Sequence, residues 1–292
     1  MKSRADLTPS SAASESSTAS SKSVAVVTGG SAGLGLAIAA EFLKAGYAVA
    51  IIGRDQARLD AARDSFSDKS TADFVMTIQA DLSSRVDAER AFGELDARFG
   101  RLDVLVNNIG TSDRGTLEQL APDDLLEIVK ANLLPALLSS QVALPMLERT
   151  GGAVVNIGSL AAKVGARYLG AYPTAKHALA GMTQQMRLEW KDRGVHVGLL
   201  NPGPIRRADA GRRYAAQVAS DSQLPSQAMQ PGGGAKVRGL PPDVVARAVL
   251  KMVRRRQVDV MLPAYLRPLV AIGNLCPPLG DWLLLKFTST KT

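Results

Sequence analysis

Cysteine, histidine and aromatic residues are scarce in this chain of 292 residues, and each scarcity excludes a class of protein. The single cysteine, Cys276, excludes an intramolecular disulfide framework and a cysteine-based zinc cluster. The two histidines, His177 and His196, show no H-E-x-x-H spacing and give little support for Ser-His-Asp hydrolysis, so we expect no bound metal. Aromatic residues make up 4%, too few for the stacking platforms that bind single-stranded nucleic acid.

The charge balance is strongly basic but does not by itself identify a partner. The formal net charge is +8 at pH 7 and the sequence pI is about 9.7. Nucleic acid, an anionic membrane surface or a phosphorylated ligand would suit this balance, whereas a basic solvated surface explains it without a partner. With 46% hydrophobic and 21% charged residues the composition is that of a soluble globular protein, and we expect no nucleic-acid partner.

The first 22 residues, 1–22, are predicted to be a disordered tail. Serine, alanine, threonine and scattered charges dominate them, and no apolar run is long enough for the core of a signal peptide. Asp6 and Glu15 also count against an organelle transit peptide. A cytoplasmic location is therefore the default expectation.

A glycine-rich turn follows the first apolar run and organises the rest of the chain. Residues 24–28 are typical of a buried parallel strand, and helix-like periodicity begins at about Leu34. Between them, Gly29 and Gly33 let the backbone turn and approach a ligand, and Gly35 permits close contact of helix and strand. The N–H groups at the helix start favour an anion such as a pyrophosphate, although an ordinary tight turn would have the same glycines.

The end of the second strand indicates the form of the cofactor. The apolar run 48–52 ends in Gly53, Arg54 and Asp55. In a dinucleotide site this position meets the adenine ribose, where arginine pairs with a 2′-phosphate and a carboxylate binds a free 2′-hydroxyl. Arg54 therefore favours NADP, with Asp55 as the argument for NAD and a solvated arginine as the alternative without a ligand.

Strand and helix patterns then alternate along the chain. Further strands are predicted at residues 75–79, 102–106, 153–157 and 258–262, and helices at 56–66, 85–98 and 122–147. This alternation requires a parallel sheet covered on both faces. The predicted fold class is α/β, a Rossmann-like doubly wound parallel sheet of about seven strands flanked by helices.

Polar residues stand out at three places among these apolar elements. Asn107 and Asn108 end a strand, where they bind backbone groups of neighbouring strands or form a surface turn. Asn132 lies within an apolar helix, where an unbonded amide is costly, so it caps an irregularity or serves a site. Tyr172 and Lys176 are four residues apart and share one face of a helix.

In its ordered set of motifs the chain closely resembles the short-chain dehydrogenase/reductase family, in its NADP-preferring form. The set spans about residues 24–262 and comprises Thr28-Gly-x-x-x-Gly-x-Gly35, Arg54, Asp81-Leu82, Asn107-Asn108-x-Gly110, Asn132, Ser159, Tyr172-x-x-x-Lys176 and Asn201-Pro202-Gly203-Pro204. Each motif alone is weak, but their order and spacing are specific. One departure is Ile109, which stands where the family usually has alanine.

The resemblance implies a catalytic tetrad. Tyr172 would protonate the oxygen of a carbonyl substrate, and Lys176 would lower the pKa of that phenol through its positive charge and hold the nicotinamide ribose. Ser159 would hydrogen-bond the substrate oxygen, and Asn132 would position a water in a proton relay from Lys176. All four residues are present, so the resemblance favours an active enzyme.

The resemblance also implies how NADP(H) is held. Asp81 would contact adenine, Asn108 and Gly110 would line the adenosine ribose region, and residues 202–205 would approach the nicotinamide carboxamide. The cofactor-binding residues predicted in this way are Thr28, Gly29, Ser31, Gly33, Leu34, Gly35, Arg54, Asp81, Leu82, Asn108, Gly110, Tyr172, Lys176, Pro202, Gly203 and Ile205.

The predicted organisation is a tail, one domain and an extension. Residues 23–262 form the Rossmann-like domain, with a variable substrate loop at about 206–240, and residues 263–292 form an apolar C-terminal extension. Prolines and charges interrupt the extension, so it is not a single membrane-spanning helix. It is expected to pack on its own core, on a partner subunit or on a membrane surface.

The predicted substrate loop is basic and rich in glycine. Its arginines bind an acidic group or form a solvated basic face, and its glycines, 232–234, are typical of a mobile segment that closes over substrate. The arginines are Arg206, Arg207, Arg212 and Arg213. None of these features specifies a substrate.

Together these features predict an NADP(H)-dependent oxidoreductase acting on a carbonyl/alcohol pair. The expected reaction is reduction of a hydrophobic ketone such as a 3-oxoacyl, steroid or long-chain lipid compound. The alternative is a catalytically silent NADP-binding regulatory or scaffold protein. The resemblance implies a homodimer or homotetramer, and the extension leaves peripheral membrane contact as a further possibility.

Overall fold

A seven-stranded parallel sheet forms the centre of the molecule. The computed structural model describes residues 22–66, 72–206, 214–215, 224–229, 232 and 237–288. The strands are β1 (Val24–Thr28), β2 (Ala48–Gly53), β3 (Val75–Gln79), β4 (Val104–Asn107), β5 (Ala153–Ile157), β6 (His196–Pro202) and β7 (Asp259–Leu262). They lie in the order β3-β2-β1-β4-β5-β6-β7, and every neighbouring pair is parallel. The predicted fold class is therefore confirmed.

Eight α-helices of the described residues surround the sheet or follow it. They are α1 (Gly33–Lys44), α2 (Gln56–Ser65), α3 (Arg85–Phe99), α4 (Pro122–Thr150), α5 (Tyr172–Glu189), α6 (Pro242–Arg255), α7 (Leu266–Leu275) and α8 (Pro277–Thr288). Short 3₁₀ turns lie at Ala72–Phe74, Leu160–Ala162 and Ser226–Met229. Helix α4 runs three residues beyond its predicted end, and Gly151 ends it in the left-handed conformation at φ 59°.

Alternate side chains of each strand enter two separate cores, one on either face of the sheet. In β1, Val24 and Val26 pack into the core shared with α3, α4 and α5, whereas Ala25 and Val27 pack into the core shared with α1, α2 and α6. Both faces of the strand are thus buried. This is why the strands appear in the sequence as continuous apolar runs and not as alternating ones.

The order of the strands reverses between β1 and β4, which lie side by side at the centre of the sheet. The chain proceeds outward in one direction through β2 and β3 and in the other through β5, β6 and β7. The loops that leave the carboxyl ends of β1 and β4 therefore diverge and open a crevice, which is where open parallel sheets bind ligands.

Helix α4 is the one helix within the described residues that is long and apolar enough to cross a membrane. The core helices of globular proteins meet the same criterion, so this is weak evidence. Here α4 packs against α3, α5, β4 and β5.

The C-terminal extension forms a hairpin of α7 and α8. The two helices approach closely at Gly273 and Gly280, because a Cβ atom on Gly280 would lie 2.7 Å from the Cα atom of Gly273. Seven large apolar side chains of this region are exposed, namely Tyr265, Leu269, Ile272, Leu275, Leu279, Trp282 and Leu285. Packing on its own chain thus accounts for one side of the extension only.

Three predicted regions fall partly outside the described residues. They are the predicted tail with residues 1–21, the predicted substrate loop with Arg207, Arg212, Arg213, Gly233 and Gly234, and the predicted extension with residues 289–292.

Candidate active site

A cleft of about 1660 Å³ runs along the carboxyl ends of the strands. Its lining extends from the turn after β1 and Arg54, past Ser159 and Tyr172, to Leu269 and Leu284 of the hairpin. Small-molecule pockets commonly hold about 300–1,000 Å³. The cleft therefore has room for a dinucleotide and a second ligand.

The turn between β1 and α1 allows close approach of an anion. Gly29 and Gly33 have φ angles of 64° and 55°, and Ala32, which precedes the helix, provides no side-chain cap. A Cβ atom on Gly35 would lie 2.1 Å from the carbonyl oxygen of Gly29, so only glycine fits there. The N–H groups at the start of α1 and the helix dipole thus face the cleft, and these residues fit the phosphates of a dinucleotide.

Arg54 lies in the cleft directly after β2, together with Asp55 and Arg58. The carboxylate of Asp55 caps helix α2, accepting a hydrogen bond from the backbone N–H of Arg58 at 3.1 Å. It also pairs with the guanidinium Nε of Arg58 at 3.3 Å. Because the carboxylate of Asp55 is occupied by its own helix, the charged side chains that can meet an anionic ligand at this end are those of Arg54 and Arg58.

Tyr172, Lys176 and Ser159 lie together in the middle of the cleft. Helix α5 begins at Tyr172, and Lys176 Nζ, one turn later, lies 5.7 Å from the centre of the Tyr172 ring. Ser159 follows β5 and its Oγ accepts a hydrogen bond from the Ala161 N–H at 3.1 Å. The serine therefore keeps its hydroxyl hydrogen for an acceptor in the cleft.

The ammonium group of Lys176 is held in a dry environment. Only 4% of the residue is exposed, and Nζ donates a hydrogen bond to the carbonyl oxygen of Ile157 at 3.1 Å. Burial disfavours the charged form and lowers the pKa of Lys176 to about 8.

Asn132 is fully buried next to Lys176 but does not line the cleft. Its Nδ2 donates to the carbonyl oxygens of Thr111 and Ile128 at 2.9 and 2.8 Å, whereas its Oδ1 has no partner among the described residues. A Cβ atom on Gly110 would lie 2.6 Å from Asn132 Oδ1 and 3.2 Å from Lys176 Nζ. Asn132 Oδ1 and Lys176 Nζ thus both border Gly110. Because Gly110 has no side chain, the two groups have room to share a small polar ligand.

The segment after β6 forms the opposite wall. Pro202, Gly203 and Ile205 line the cleft there. The N–H of Gly203 donates to the carbonyl oxygen of Leu262 at 2.7 Å, and Ile205 pairs with Leu240. This wall is therefore tied to β7 and to the start of α6.

Four predicted site residues do not line the cleft. Besides Asn132, they are Thr28, Asp81 and Leu82. Leu82 is buried in the core, and Thr28 Oγ1 accepts hydrogen bonds from the backbone of Asn108 at 3.0 Å and of Ile109 at 3.3 Å. The hydroxyl and N–H groups of Ser83 lower the pKa of Asp81.

Asn108 lines the cleft but uses its amide inside the protein. Its Nδ2 donates to the carbonyl oxygens of Thr28 and Gly29 at 3.1 and 3.2 Å. It therefore joins the end of β4 to the turn after β1 and fixes the shape of the phosphate-facing turn.

Four residues of the cleft region escaped the sequence analysis: Arg58, Asp113, Arg114 and Tyr214. Arg58 lies in the first turn of α2, four residues after Arg54, and this turn was not considered in the sequence analysis. The other three carry no local pattern, because their partners are distant in the chain. The Arg114 side chain is nearly buried over the Tyr214 ring, and burial lowers the pKa of Arg114.

Metal-ligating side chains do not cluster in the part of the chain that the structure describes. No group of three or more histidine, cysteine, aspartate or glutamate residues is arranged there to hold a metal ion.

Comparison with known proteins identifies the class to which this fold and cleft belong. The sequence model of the family described as short chain dehydrogenase matches residues 23–218. The chain is also 34% identical over 229 residues to 2-(S)-hydroxypropyl-CoM dehydrogenase 3 of Xanthobacter autotrophicus, covering 78% of this chain and 88% of the relative.

Solved structures show the same likeness. An NADPH-bound short chain oxidoreductase from Pseudomonas aeruginosa PAO1, described as containing an atypical catalytic center, superposes with a TM-score of 0.69 at 26% identity, over 82% of this chain and 95% of that one. An actinorhodin polyketide ketoreductase variant with NADPH gives 0.72 at 25% identity, over 83% and 96%. The chain therefore belongs to the short-chain dehydrogenase family and is an oxidoreductase of that family.

Proposed function

We propose that this protein is an NADP(H)-dependent oxidoreductase that reduces the carbonyl group of a hydrophobic ketone. The observation that carries the proposal is the arrangement of one cleft. Ser159, Tyr172 and Lys176 lie together in its middle, the turn after β1 and Arg54 form one end, and an apolar hairpin forms the other. The NADPH-bound neighbours support a nicotinamide cofactor in such a cleft.

The chemistry assigns a separate role to each side chain. NADPH, when bound, supplies a hydride to the carbonyl carbon. Ser159 donates a hydrogen bond to the carbonyl oxygen, and Tyr172 gives that oxygen its proton as negative charge develops. Lys176, as an ammonium ion, favours the ionised form of Tyr172 and so eases the transfer. Asn132 Oδ1 would hold a water that returns a proton through Lys176, a role that its unpartnered buried oxygen supports.

The preference for NADP(H) rests on Arg54. A guanidinium binds a 2′-phosphate through charge-assisted hydrogen bonds, and Asp55, which would serve a free 2′-hydroxyl, caps α2 instead. Arg58 adds a second guanidinium at the same end of the cleft. The proposed cofactor residues are thus the turn after β1, Arg54 and the wall at Pro202, Gly203 and Ile205.

The substrate end favours an apolar molecule. The hairpin contributes Leu266, Leu269, Val270, Leu283 and Leu284 to the lining. A 3-oxoacyl, steroid or long-chain lipid ketone would bury its hydrocarbon against them. A polyketide ketoreductase among the structural neighbours is consistent with an acyl ketone.

The activity is tested by reduction of 2-decanone, acetoacetyl-CoA and androstenedione with NADPH, in wild type and Tyr172→Phe. We expect the variant to bind NADPH as the wild type does but to lose about 10²–10⁴-fold in kcat, the usual contribution of a general acid. Equal turnover by both proteins would contradict the assigned role. Tight NADPH binding without turnover in either would instead favour the silent regulatory alternative.

The cofactor preference is tested by Arg54→Asp. The substitution removes the hydrogen bonds between the guanidinium and the 2′-phosphate, which contribute about 1.5–3 kcal/mol. NADPH binding should therefore weaken about 10–100-fold, whereas NADH binding should be unaffected or improved. Arg98→Asp, on the exposed surface of α3, makes the same change of charge away from the cleft and is the control. A parallel loss in both variants would indicate long-range electrostatics and not a 2′-phosphate site.

We further propose that the protein works as a homodimer or homotetramer in the cytoplasm, and that the exposed side of the hairpin makes a contact outside the chain. A large apolar surface of this kind suits a partner subunit or the surface of a membrane. Sedimentation velocity with and without phosphatidylglycerol vesicles separates the two. Trp282→Glu should lower the oligomeric mass in the first case and vesicle binding in the second.

A further inference from the structure

Helix α5 begins without a cap from its own sequence. Ala171, the residue before Tyr172, provides no side-chain hydrogen bond. The cap comes from Asp113 instead, 58 residues earlier in the chain. Asp113 Oδ2 accepts from the Ala171 N–H at 2.9 Å and Oδ1 accepts from the Tyr172 N–H at 3.1 Å, a group that also donates to the Leu169 carbonyl.

The surroundings show that this carboxylate is closely fitted. Asp113 is only 8% exposed. Gly170 has a φ angle of 50°, and a Cβ atom on it would lie 2.1 Å from Asp113 Oδ2. The N–H of Gly170 also donates to the carbonyl oxygen of Gly115 at 3.1 Å. The segment around Asp113 therefore pairs with the backbone that leads directly into Tyr172.

Arg114, the next residue, faces the substrate side of the cleft. Its guanidinium carbon lies 3.6 Å from the centre of the Tyr214 ring, and its Nε donates to the carbonyl oxygen of Ala228 at 2.6 Å. Nη1 donates to the carbonyl oxygen of Asp113 at 2.6 Å. The Tyr214 hydroxyl is in turn 2.5 Å from Ser112 Oγ. Arg114 thus joins residues that follow β6 to the segment that follows β4.

We propose that Asp113 and Arg114 are two positioning residues of the active site, Asp113 for Tyr172 and Arg114 for the wall on the substrate side. The inference rests on the proposed function. Neither residue donates a group to the reaction. The carboxylate of Asp113 binds the start of the catalytic helix. The guanidinium of Arg114 binds Tyr214, which lines the cleft.

Asp113 is tested by a graded pair of variants. Asp113→Asn keeps one acceptor oxygen and turns an amide donor toward an N–H group, whereas Asp113→Ala removes both acceptors. Misplacement of a catalytic group by about 1 Å costs on the order of 10²-fold. We expect kcat to fall about tenfold in the first variant and about 100-fold in the second, with KM for NADPH unchanged.

The rate must be expressed per binding-competent site, counted by titration with NADPH. A residue that served stability alone would lower the number of sites and leave kcat per site unchanged, and that result would overturn the proposal. Ser84→Ala is the matched control, because Ser84 caps α3 through the Asp87 N–H and lies outside the cleft. It should lower stability without lowering kcat per site.

A substitution of Arg114 should change KM and not kcat, whereas the Asp113 substitutions change kcat. Arg114→Lys keeps the positive charge but loses the planar stack on Tyr214 and the forked hydrogen bonds. We expect the KM of whichever test ketone the wild type reduces to rise about tenfold, which corresponds to about 1.4 kcal/mol, while kcat is retained. A loss of kcat with unchanged KM would overturn the assignment of Arg114 to the substrate wall.

Amide hydrogen exchange separates failure of this proposal from failure of the proposed function. Peptides spanning residues 168–176 should exchange at least about tenfold faster in Asp113→Ala than in wild type, because the cap is lost. Unchanged exchange would overturn the role of Asp113 even if the enzyme is active. Absence of turnover in wild type would overturn the function, and the exchange result would still decide whether Asp113 holds α5.

Discussion

Lys176 combines a charge with almost complete burial, and this has consequences for both stability and activity. Burial lowers its pKa to about 8 in the folded protein, whereas an exposed lysine titrates near 10.4. Between these two values the unfolded chain binds more protons than the native one. The contribution of Lys176 to the free energy of unfolding therefore rises with pH across this window. Below about pH 8 the lysine is charged in both states, and the full cost of burying the ammonium applies.

We predict that stability and activity diverge above pH 8. The free energy of unfolding of wild type relative to Lys176→Met should rise by about 2 kcal/mol between pH 8 and pH 10, as urea titrations at each pH would measure. Over the same range kcat/KM of the wild type should fall, because the ammonium form is lost. The comparison with Lys176→Met removes the titration of every other group.

A constant difference in unfolding free energy between the two proteins across this range would contradict the lowered pKa. Bound NADPH is a useful further condition. If the cofactor lies against Lys176, its phosphates should favour the ammonium form. The fall in kcat, which reports the cofactor complex, should then lie at higher pH than the fall in kcat/KM for NADPH, which reports the free enzyme.

Several single residues were predictable because their signal is local. Tyr172 and Lys176 are one helical turn apart, and Arg54 directly follows a strand. Asp113 and Arg114 were not predictable, because their partners lie 58 and 114 residues away and no spacing encodes such contacts. Asn132 was predicted to cap an irregularity or to serve a site. Its bond to the Thr111 carbonyl joins α4 to the loop after β4, whereas its bond to the Ile128 carbonyl lies within α4.

At the scale of elements, a buried chain of polar groups joins α5 to the sheet. Asn107 Nδ2 donates to Asn156 Oδ1 at 2.8 Å, and Asn156 Nδ2 donates to Thr183 Oγ1 at 2.9 Å. Thr183 donates onward to the carbonyl oxygen of Leu179 at 2.6 Å. These groups connect β4, β5 and the helix that carries Tyr172. They lie in the core, where an unpaired polar group is expensive.

We predict that Thr183→Val destabilises the protein by about 1–3 kcal/mol, although valine has nearly the same shape. The substitution leaves the amide of Asn156 without its acceptor. Thr116→Val is the matched control, because the buried Thr116 Oγ1 has no partner among the described residues and its loss should be neutral or favourable. Urea unfolding measures both, and equal effects of the two substitutions would show that the polar chain adds nothing.

The elements themselves were largely predictable, and the reason is physical. Strands buried on both faces appear as apolar runs, so β5 matches its predicted bounds. Strand β3 also matches its predicted bounds, although it lies at the edge of the sheet and is only partly buried. Ends are set by finer interactions: β4 begins two residues after its predicted start, at Val104. The side chain of the preceding Asp103 instead accepts a hydrogen bond from the Val24 N–H and pairs with Arg101, contacts that no periodicity reveals.

At the scale of the whole molecule, the hairpin of α7 and α8 divides into two faces with different surroundings. Val270 and Leu284 line the cleft, whereas Leu275 is 86% exposed and faces away from it. The sequence predicted an apolar extension but not this division. Which side of each helix meets the cleft depends on the contact of Gly273 with Gly280 and on the path of the chain after β7.

The inner face should set a preference for long hydrocarbon chains. In a series of 2-alkanones, each methylene that reaches the hairpin should contribute up to about 0.8 kcal/mol, or about fourfold in kcat/KM. Val270→Asn should reduce that increment for the longer ketones and leave the shortest member unaffected. Leu275→Asn also replaces an apolar side chain by an amide, on the outer face, and should preserve the whole series. If both variants behaved alike, or if chain length had no effect in wild type, the hairpin would not form the substrate wall and the hydrocarbon would have to bind elsewhere in the cleft.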